Sequence, residues 1–324
     1  MAQLRYLSPF VFLSLLPLGE ALGGGWAVLA AVATPLCLTL LDGALGNQSS
    51  SRPDHGGSRW IPHIYVLLQL AATAWAAVRV ASPSTALVEA SGLTLSAGVT
   101  TGVFGFVAAH ELIHSRDRRD RALGLTFLAS VFYMHFRIAH LHGHHRRAAT
   151  IDDPASARLG EGLYAFLLRS IVGQFREAWR FEAARSRGNR VVGYLAIEGA
   201  LLAVLAMASW RAFLFIVAVT AISVILLESF NYVAHYGLSR RAGERLGPQH
   251  SWNSERRMNN AALLNMGRHS DHHRGGGRSF EELEAVPRSA ALPSGYAAAL
   301  LTALVPPLWR RIMDPRARAV LESA

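Results

Sequence analysis

Long apolar runs separated by short polar links fill the first half of the chain and return after residue 190. A bilayer core of about 30 Å is crossed by a helix of about twenty mostly apolar residues. Runs of that kind lie near 6–22, 25–45, 60–81, 87–109, 191–209 and 211–231, which predicts six transmembrane helices in three hairpins. The first run follows Arg5 and is succeeded by small residues after Glu20, a pattern shared with cleaved secretory signals; it is read here as an uncleaved anchor. Residues 121–139 are also apolar, but Tyr133, His135 and Arg137 interrupt them, and an interfacial helix is expected there. A span at that point would carry the later histidines to the other side of the membrane from the earlier ones. The stretches 110–190 and 232–324 mix polar and apolar positions, with a turn signal at Gly247-Pro248, and are expected to form a cap on one side of the bilayer. The fold class is therefore all-α and integral to the membrane, with residues 1–324 as one membrane-embedded domain.

Composition strengthens this reading. Of 324 residues, 51% are hydrophobic and 17% charged, more apolar than an ordinary soluble protein. The formal charge of +10 is carried by arginine alone, since the chain has no lysine. The links at Gly23–Gly24 and Ser82–Ser84 lack arginine, whereas 47–59 holds Arg52 and Arg59, and 115–190 and the tail are arginine-rich. By the positive-inside rule both termini and the cap are cytoplasmic, at a bacterial-type inner membrane. The basic segments flank apolar runs of membrane length instead of forming a soluble basic face, which excludes nucleic acid as the partner. The one cysteine, Cys37, lies in an apolar run, so the chain builds no intramolecular disulfide, cysteine-ligated cluster or CxxC redox pair.

Candidate chemistry resides in the histidines. Nine of the fourteen fall into four groups: His110 and His114; His140, His144 and His145; His235; and His269, His272 and His273. Residues three or four apart project from one helix face, so each cluster can aim several imidazoles at one point. Glu228, Asn231 and His235 share a face at the end of the last apolar run, and a polar stripe in lipid is costly unless it turns inward. HELIH at 110–114 matches the zinc-protease pattern HExxH, but that chemistry would leave most of the other histidines idle. Zinc sites close at four ligands, so nine imidazoles on one membrane side suit two metal ions with about four or five ligands each. Imidazole alone does not choose among zinc, copper, iron and nickel. Ligating histidines donate their second N–H to a carboxylate or carbonyl, for which Glu111, Asp152, Asp153, Glu228 and Asp271 are candidates. His55, His63, His135, His142 and His250 fall outside the clusters and are read as structural.

HELIHS at 110–115, HLHGHH at 140–145, NYVAHYGL at 231–238 and RHSDHH at 268–273 resemble the histidine boxes of the membrane alkane hydroxylase family, which includes alkane 1-monooxygenases and xylene monooxygenases. DDPASAR at 152–158, LLESFNY at 226–232, HSWNS at 250–254 and LVPPLWRRIMDPR at 304–316 extend the resemblance from about residue 100 to the end. The resemblance implies that His110, His114, His140, His144, His145, His235, His269, His272 and His273 bind two irons. It implies O2-dependent hydroxylation of an alkane or an alkyl-aromatic substrate. Electrons would come from a rubredoxin- or ferredoxin-type carrier with its reductase. Fatty-acyl desaturation and metal binding or transport without catalysis are the alternatives. The family pattern usually has Glu where this chain has Ala139 and Ala234, and a basic residue where it has Ser115. Arg116, Arg118, Arg119, Arg146 and Arg147 are candidates to dock an acidic carrier. Gly92, Ala97, Gly98, Gly102 and Gly105 would either line a substrate route between spans or pack helices.

Overall fold

A computed structural model describes residues 2–48, 57–186, 188–241, 243–275 and 277–323. His55 and Arg52 lie outside them. The chain forms two compact units: Met1–Cys37, Gly57–Met134 and Arg187–Leu227 in the first, and Leu38–Gly56, His135–Ser186 and Glu228–Ala324 in the second.

Apolar runs become helices because lipid offers no partner for backbone N–H and C=O groups, and a helix satisfies them within one segment. A 3-10 turn, Ala2–Leu7, leads into α1, Ser8–Leu22. A second 3-10 turn, Gly24–Val28, leads into α2, Leu29–Leu45, and α3 spans Ile61–Ala81. Helix α4, Leu87–Thr100, runs through a π-helical turn, Thr101–Gly105, into α5, Phe106–His114. Then come α6, Arg118–Ser130, and later α10, Arg190–Ala208, and α11, Trp210–His235. Five helices among the described residues are long and apolar enough to cross a membrane: Gly24–Leu45, Ile61–Ala81, Leu87–His114, Arg190–Ala208 and Trp210–His235. They correspond to five of the six expected spans. The fourth and sixth run further than expected and carry their histidines on the spanning helix itself. The first expected span, a 3-10 turn running on into α1 from Ala2 to Leu22, is not among those five. The segment 121–139 is also no span, since α6 ends at Ser130 and Phe132 turns the chain with φ +47°.

Close helix approach holds the first unit together. Its core gathers Leu16, Ala27, Ala76, Ala77, Val80, Leu93, Ala97, Phe215 and Val219. A Cβ at Gly92 would meet the Ala27 backbone at 2.8 Å, one at Gly98 the Ile222 side chain at 2.7 Å, and one at Gly102 the Ser223 backbone at 2.9 Å. Gly105 is closed in the same way by the Phe127 ring. These small residues therefore serve helix packing, the usual adhesive in lipid, and leave no gap for a substrate at these four points. Polar side chains in the spans pair with one another. Gln69 Nε2 donates to the hydroxyls of Thr73, Thr100 and Thr101 at 3.2, 3.3 and 2.9 Å, and Tyr65 donates to Gln69 Oε1 at 3.1 Å.

The second unit is built from shorter pieces. The segment α7, Phe136–Ile138, passes through a π-helical turn, Ala139–His144, into α8, His145–Arg147. An amphipathic helix, α9, Leu163–Ala183, packs on that turn. Short helices α12, Arg257–Ala262, and α13, His269–Arg274, are followed by α14, Tyr296–Ala303, and α15, Pro306–Ser323. Two-residue strands β1, Trp252–Asn253, and β2, Ala290–Ala291, pair in parallel, with Trp252 opposite Ala290. At the end of α11, Gly237 has φ +69° and a Cβ there would meet the Ala317 methyl at 2.9 Å, so the turn requires glycine.

Candidate metal centre

Within the second unit, His144, His235, His269 and His273 bring one ring nitrogen each to within 4.8 Å of the others, and all four are buried. His269 Nε2 lies 3.1 Å from His235 Nε2 and 3.1 Å from His273 Nε2. The outer nitrogens fix what those inner atoms carry. His235 Nδ1 donates to the His250 carbonyl at 3.2 Å, and His144 Nδ1 faces Asp153 Oδ2 at 2.8 Å. Burial alone would raise the Asp153 carboxyl, but His144 beside it and hydrogen bonds from His144 and Ser156 hold it below the usual carboxylate range. Asp153 is therefore ionised and accepts a hydrogen bond from the His144 Nδ1–H. The inner Nε2 atoms of His144 and His235 are then lone pairs, and His144 Nε2 is buried without a hydrogen-bond partner. Burial, reinforced by the neighbouring histidines, pushes the His273 imidazolium well down, so that ring is neutral too. Neutral imidazoles whose lone pairs face one another in a dry site match a cation.

A second group in the same unit joins His140, His145 and His272. His145 Nε2 lies 3.0 Å from His140 Nε2 and 3.1 Å from His272 Nε2. This grouping differs from simple α-helical spacing. In the π turn His140 pairs with His145, five residues on, while His144 joins the other group. On α13, His269 and His273 share one group, and His272 between them turns to the other. In the first unit, His110 and His114 sit one turn apart on α5 with ring centroids 4.6 Å from each other.

The frame behind the four-histidine group is largely backbone and loop. His250 is buried, its Nδ1 accepts the Gly247 N–H at 2.8 Å, and its carbonyl holds His235. Asn253 accepts the Ser270 N–H at 2.9 Å and donates to Ser270 Oγ at 2.6 Å, which anchors the first turn of α13. Arg169 clamps the loop that carries Asp153. It donates to both Glu161 oxygens at 2.7 Å and to the carbonyls of Pro154 and Ser156 at 3.1 Å. Of the other candidate outer carboxylates, Asp271 pairs with Arg274 and Arg278, and Glu228 accepts from Ser170, Gln174 and Asn231. Asp152 is exposed. The remaining histidines occupy structural places: His63 binds Asp120 at 2.8 Å, His142 stacks on Phe181, and burial lowers His135 to about 4 beside Phe175. Sequence spacing carried no signal for Arg169, Asn253 or the His250 carbonyl.

A family model described as fatty acid desaturase matches residues 84–300. Alkane 1-monooxygenase 1 of Pseudomonas aeruginosa is 39% identical over 278 residues, 79% of this chain and 73% of that protein. Alkane 1-monooxygenase 2 of the same organism is 38% identical over 243 residues, covering 70% of this chain and 64% of that protein. The xylene/toluene monooxygenase hydroxylase component of Pseudomonas putida is 29% identical over 236 residues, 68% of this chain and 62% of that one. The chain thus spans less than two thirds of the length of two of these three relatives.

Proposed function

Because the chain belongs to the membrane alkane hydroxylase family, we propose that it is a multi-pass monooxygenase that binds two irons and hydroxylates an n-alkane or related aliphatic chain at its terminal carbon. The observation that carries this reading is the convergence of imidazole nitrogens on two points. His144, His235, His269 and His273 hold one ion. His140, His145 and His272 hold the other, and the family's histidine boxes add His110 and His114 to the iron ligands. Iron bound there supplies the activation of O2. The chain's own part is to fix and dry the site. Asp153 and the His250 carbonyl take the outer N–H of His144 and His235, which keeps each Nε2 lone pair aimed inward. Phe230 lies against the His269 ring, with centroids 5.6 Å apart, and helps to exclude water.

With a lone cysteine and no flavin motif, the chain must receive electrons from outside, and a rubredoxin- or ferredoxin-type carrier with its reductase fits that need. The arginine distribution favours an inner membrane with the histidines on the cytoplasmic side. Higher identity to the alkane enzymes than to the xylene enzyme favours an aliphatic substrate. The test is metal content of the detergent-purified protein together with products from cells fed octane, hexadecane and p-xylene. Close to two irons and a terminal alcohol are expected. A benzylic alcohol alone would move the assignment to aromatic methyl groups, and a single zinc with no product would overturn it.

A further inference from the structure

The second unit carries an apolar surface that the metal chemistry does not use. On α9, Tyr164, Leu168, Val172 and Trp179 are each at least 40% exposed. Around the end of α14 and the start of α15, so are Leu301, Leu304, Val305 and Leu308. The two patches adjoin, since the Tyr164 hydroxyl donates to the Leu304 carbonyl at 2.9 Å. The second patch contains the LVPPLW part of the segment at 304–316. Neither helix is apolar enough to cross a membrane: α9 bears Arg169, Arg176, Glu177, Arg180 and Glu182, and α15 bears Arg310, Arg311, Arg316 and Arg318.

At about 100° per residue, α9 has three faces. Phe166, Ser170, Gln174 and Ala178 turn into the unit, and Ser170 and Gln174 hold Glu228 there. Tyr164, Leu168, Val172 and Trp179 fall within about 80° of one another on a second face. Arg176 and Arg180 form a third stripe roughly 100° further round, and both are exposed. Helix α15 repeats the order, with Trp309, Met313 and Ala317 buried, Leu308 exposed, and Arg311 and Arg318, both exposed, roughly 60–80° round from it. A protein-facing side, an apolar side and an adjacent cationic stripe are the elements of a helix that lies in the headgroup region of a bilayer.

We propose that α9 and the α14–α15 corner dip into the membrane surface, with Tyr164, Leu168, Val172, Leu304 and Leu308 in the acyl boundary and Arg176, Arg180, Arg311 and Arg318 on anionic headgroups. Charge decides for lipid: the arginines border the apolar strip on one side, where the phosphate layer would lie, and anionic leaflets attract such residues. This surface is independent of which histidines bind which ion.

The single native cysteine makes the test direct. In full-length protein with Cys37→Ala, nitroxide labels at Leu168→Cys and Leu304→Cys are compared in nanodiscs with a label at Val217→Cys, on the exposed face of α11, and one at Glu322→Cys. Collisions with O2 and with a water-soluble nickel chelate report depth. The labels at 168 and 304 should show the O2-weighted ratio of position 217 and not the nickel-weighted ratio of position 322. Adding anionic lipid should shift them deeper, and R176Q/R180Q/R311Q/R318Q should abolish that shift while the label at 217 stays unchanged. Water-like collisions at 168 and 304 in both lipid mixtures would overturn the proposal. So would protection that arises only when an acidic carrier protein is added, which would make this a protein-docking face, or a depth indifferent to anionic lipid.

Discussion

Each unit buries a polar cluster, and the two clusters are balanced differently. Around Gln69, donors meet acceptors throughout: the amide nitrogen serves three threonine hydroxyls, Tyr65 serves the amide oxygen, and Thr100 donates onward to the Ser96 carbonyl at 3.1 Å. That cluster is complete, and its work is to join α3 to the π turn behind α5. Around His269 the balance fails. Ring nitrogens crowd together at 3.1 Å, while the outer N–H groups of His144 and His235 point away from them to Asp153 and the His250 carbonyl. A buried group that serves only the fold satisfies itself. One that serves a ligand keeps its lone pairs for the ligand, and the imbalance is the mark of a site.

The sharpest way to break this comparison is to remove an inward imidazole. His144→Ala or His269→Ala should give protein that still purifies as a monodisperse membrane protein but has lost iron and nearly all oxygenation, a larger fall than the ~10–100-fold typical of outer-sphere changes. Elemental analysis beside product yield checks it, and two such variants with full iron and activity would refute the ligand set. Next in size is Asp153→Asn, which keeps the shape and removes the charge that orients His144. Iron affinity should fall by about 10–100-fold, read by competition with a chelator, and an unchanged affinity would mean that Asp153 only shapes its loop.

Much of this was legible in the chain. Five spans follow directly from apolar length, and spacing and the boxes singled out His140, His144, His145, His235, His269, His272 and His273, which the second unit gathers into two groups. What spacing misjudged was the partition. An α-helical period pairs His140 with His144, but the π turn Ala139–His144 brings His145 round to His140 and leaves His144 to Asp153. One residue of helical register thus decides which group a histidine joins, and hydropathy is blind to it. The His250 carbonyl is a backbone group and Asn253 a single side-chain amide in a loop, where no helical period marks either of them. The small residues of α4 were ambiguous between a route and a packing seam until Ile222 and Ser223 were seen against them.

A smaller effect sharpens the other half of the comparison. Gln69→Leu leaves Tyr65 and three hydroxyls short of a partner in a buried place, which should cost about 1–3 kcal/mol. Thermal unfolding in detergent should shift down while iron per folded molecule stays the same. Iron loss at this position would show that the two clusters are one functional unit and that the contrast drawn between them is false.

The smallest expected effect concerns the clamp behind Asp153. Burial alone would raise the Glu161 carboxyl, but the Arg169 guanidinium and the Arg158 N–H hold it below its ordinary value. A carboxyl depressed in the folded state adds stability that is fully present above its unfolded value, about 4.3, and is lost as pH falls through the lower folded value. Glu161→Gln should therefore unfold at a lower temperature than the parent chain at neutral pH, and the gap should close on acidification below about pH 4. Since Arg169 also holds the Pro154 and Ser156 carbonyls that follow Asp153 in its loop, the same variant should release iron to a chelator somewhat faster at neutral pH. A gap that widens in acid would show that the carboxyl is not depressed by Arg169, and that the loop beneath His144 is held by something else.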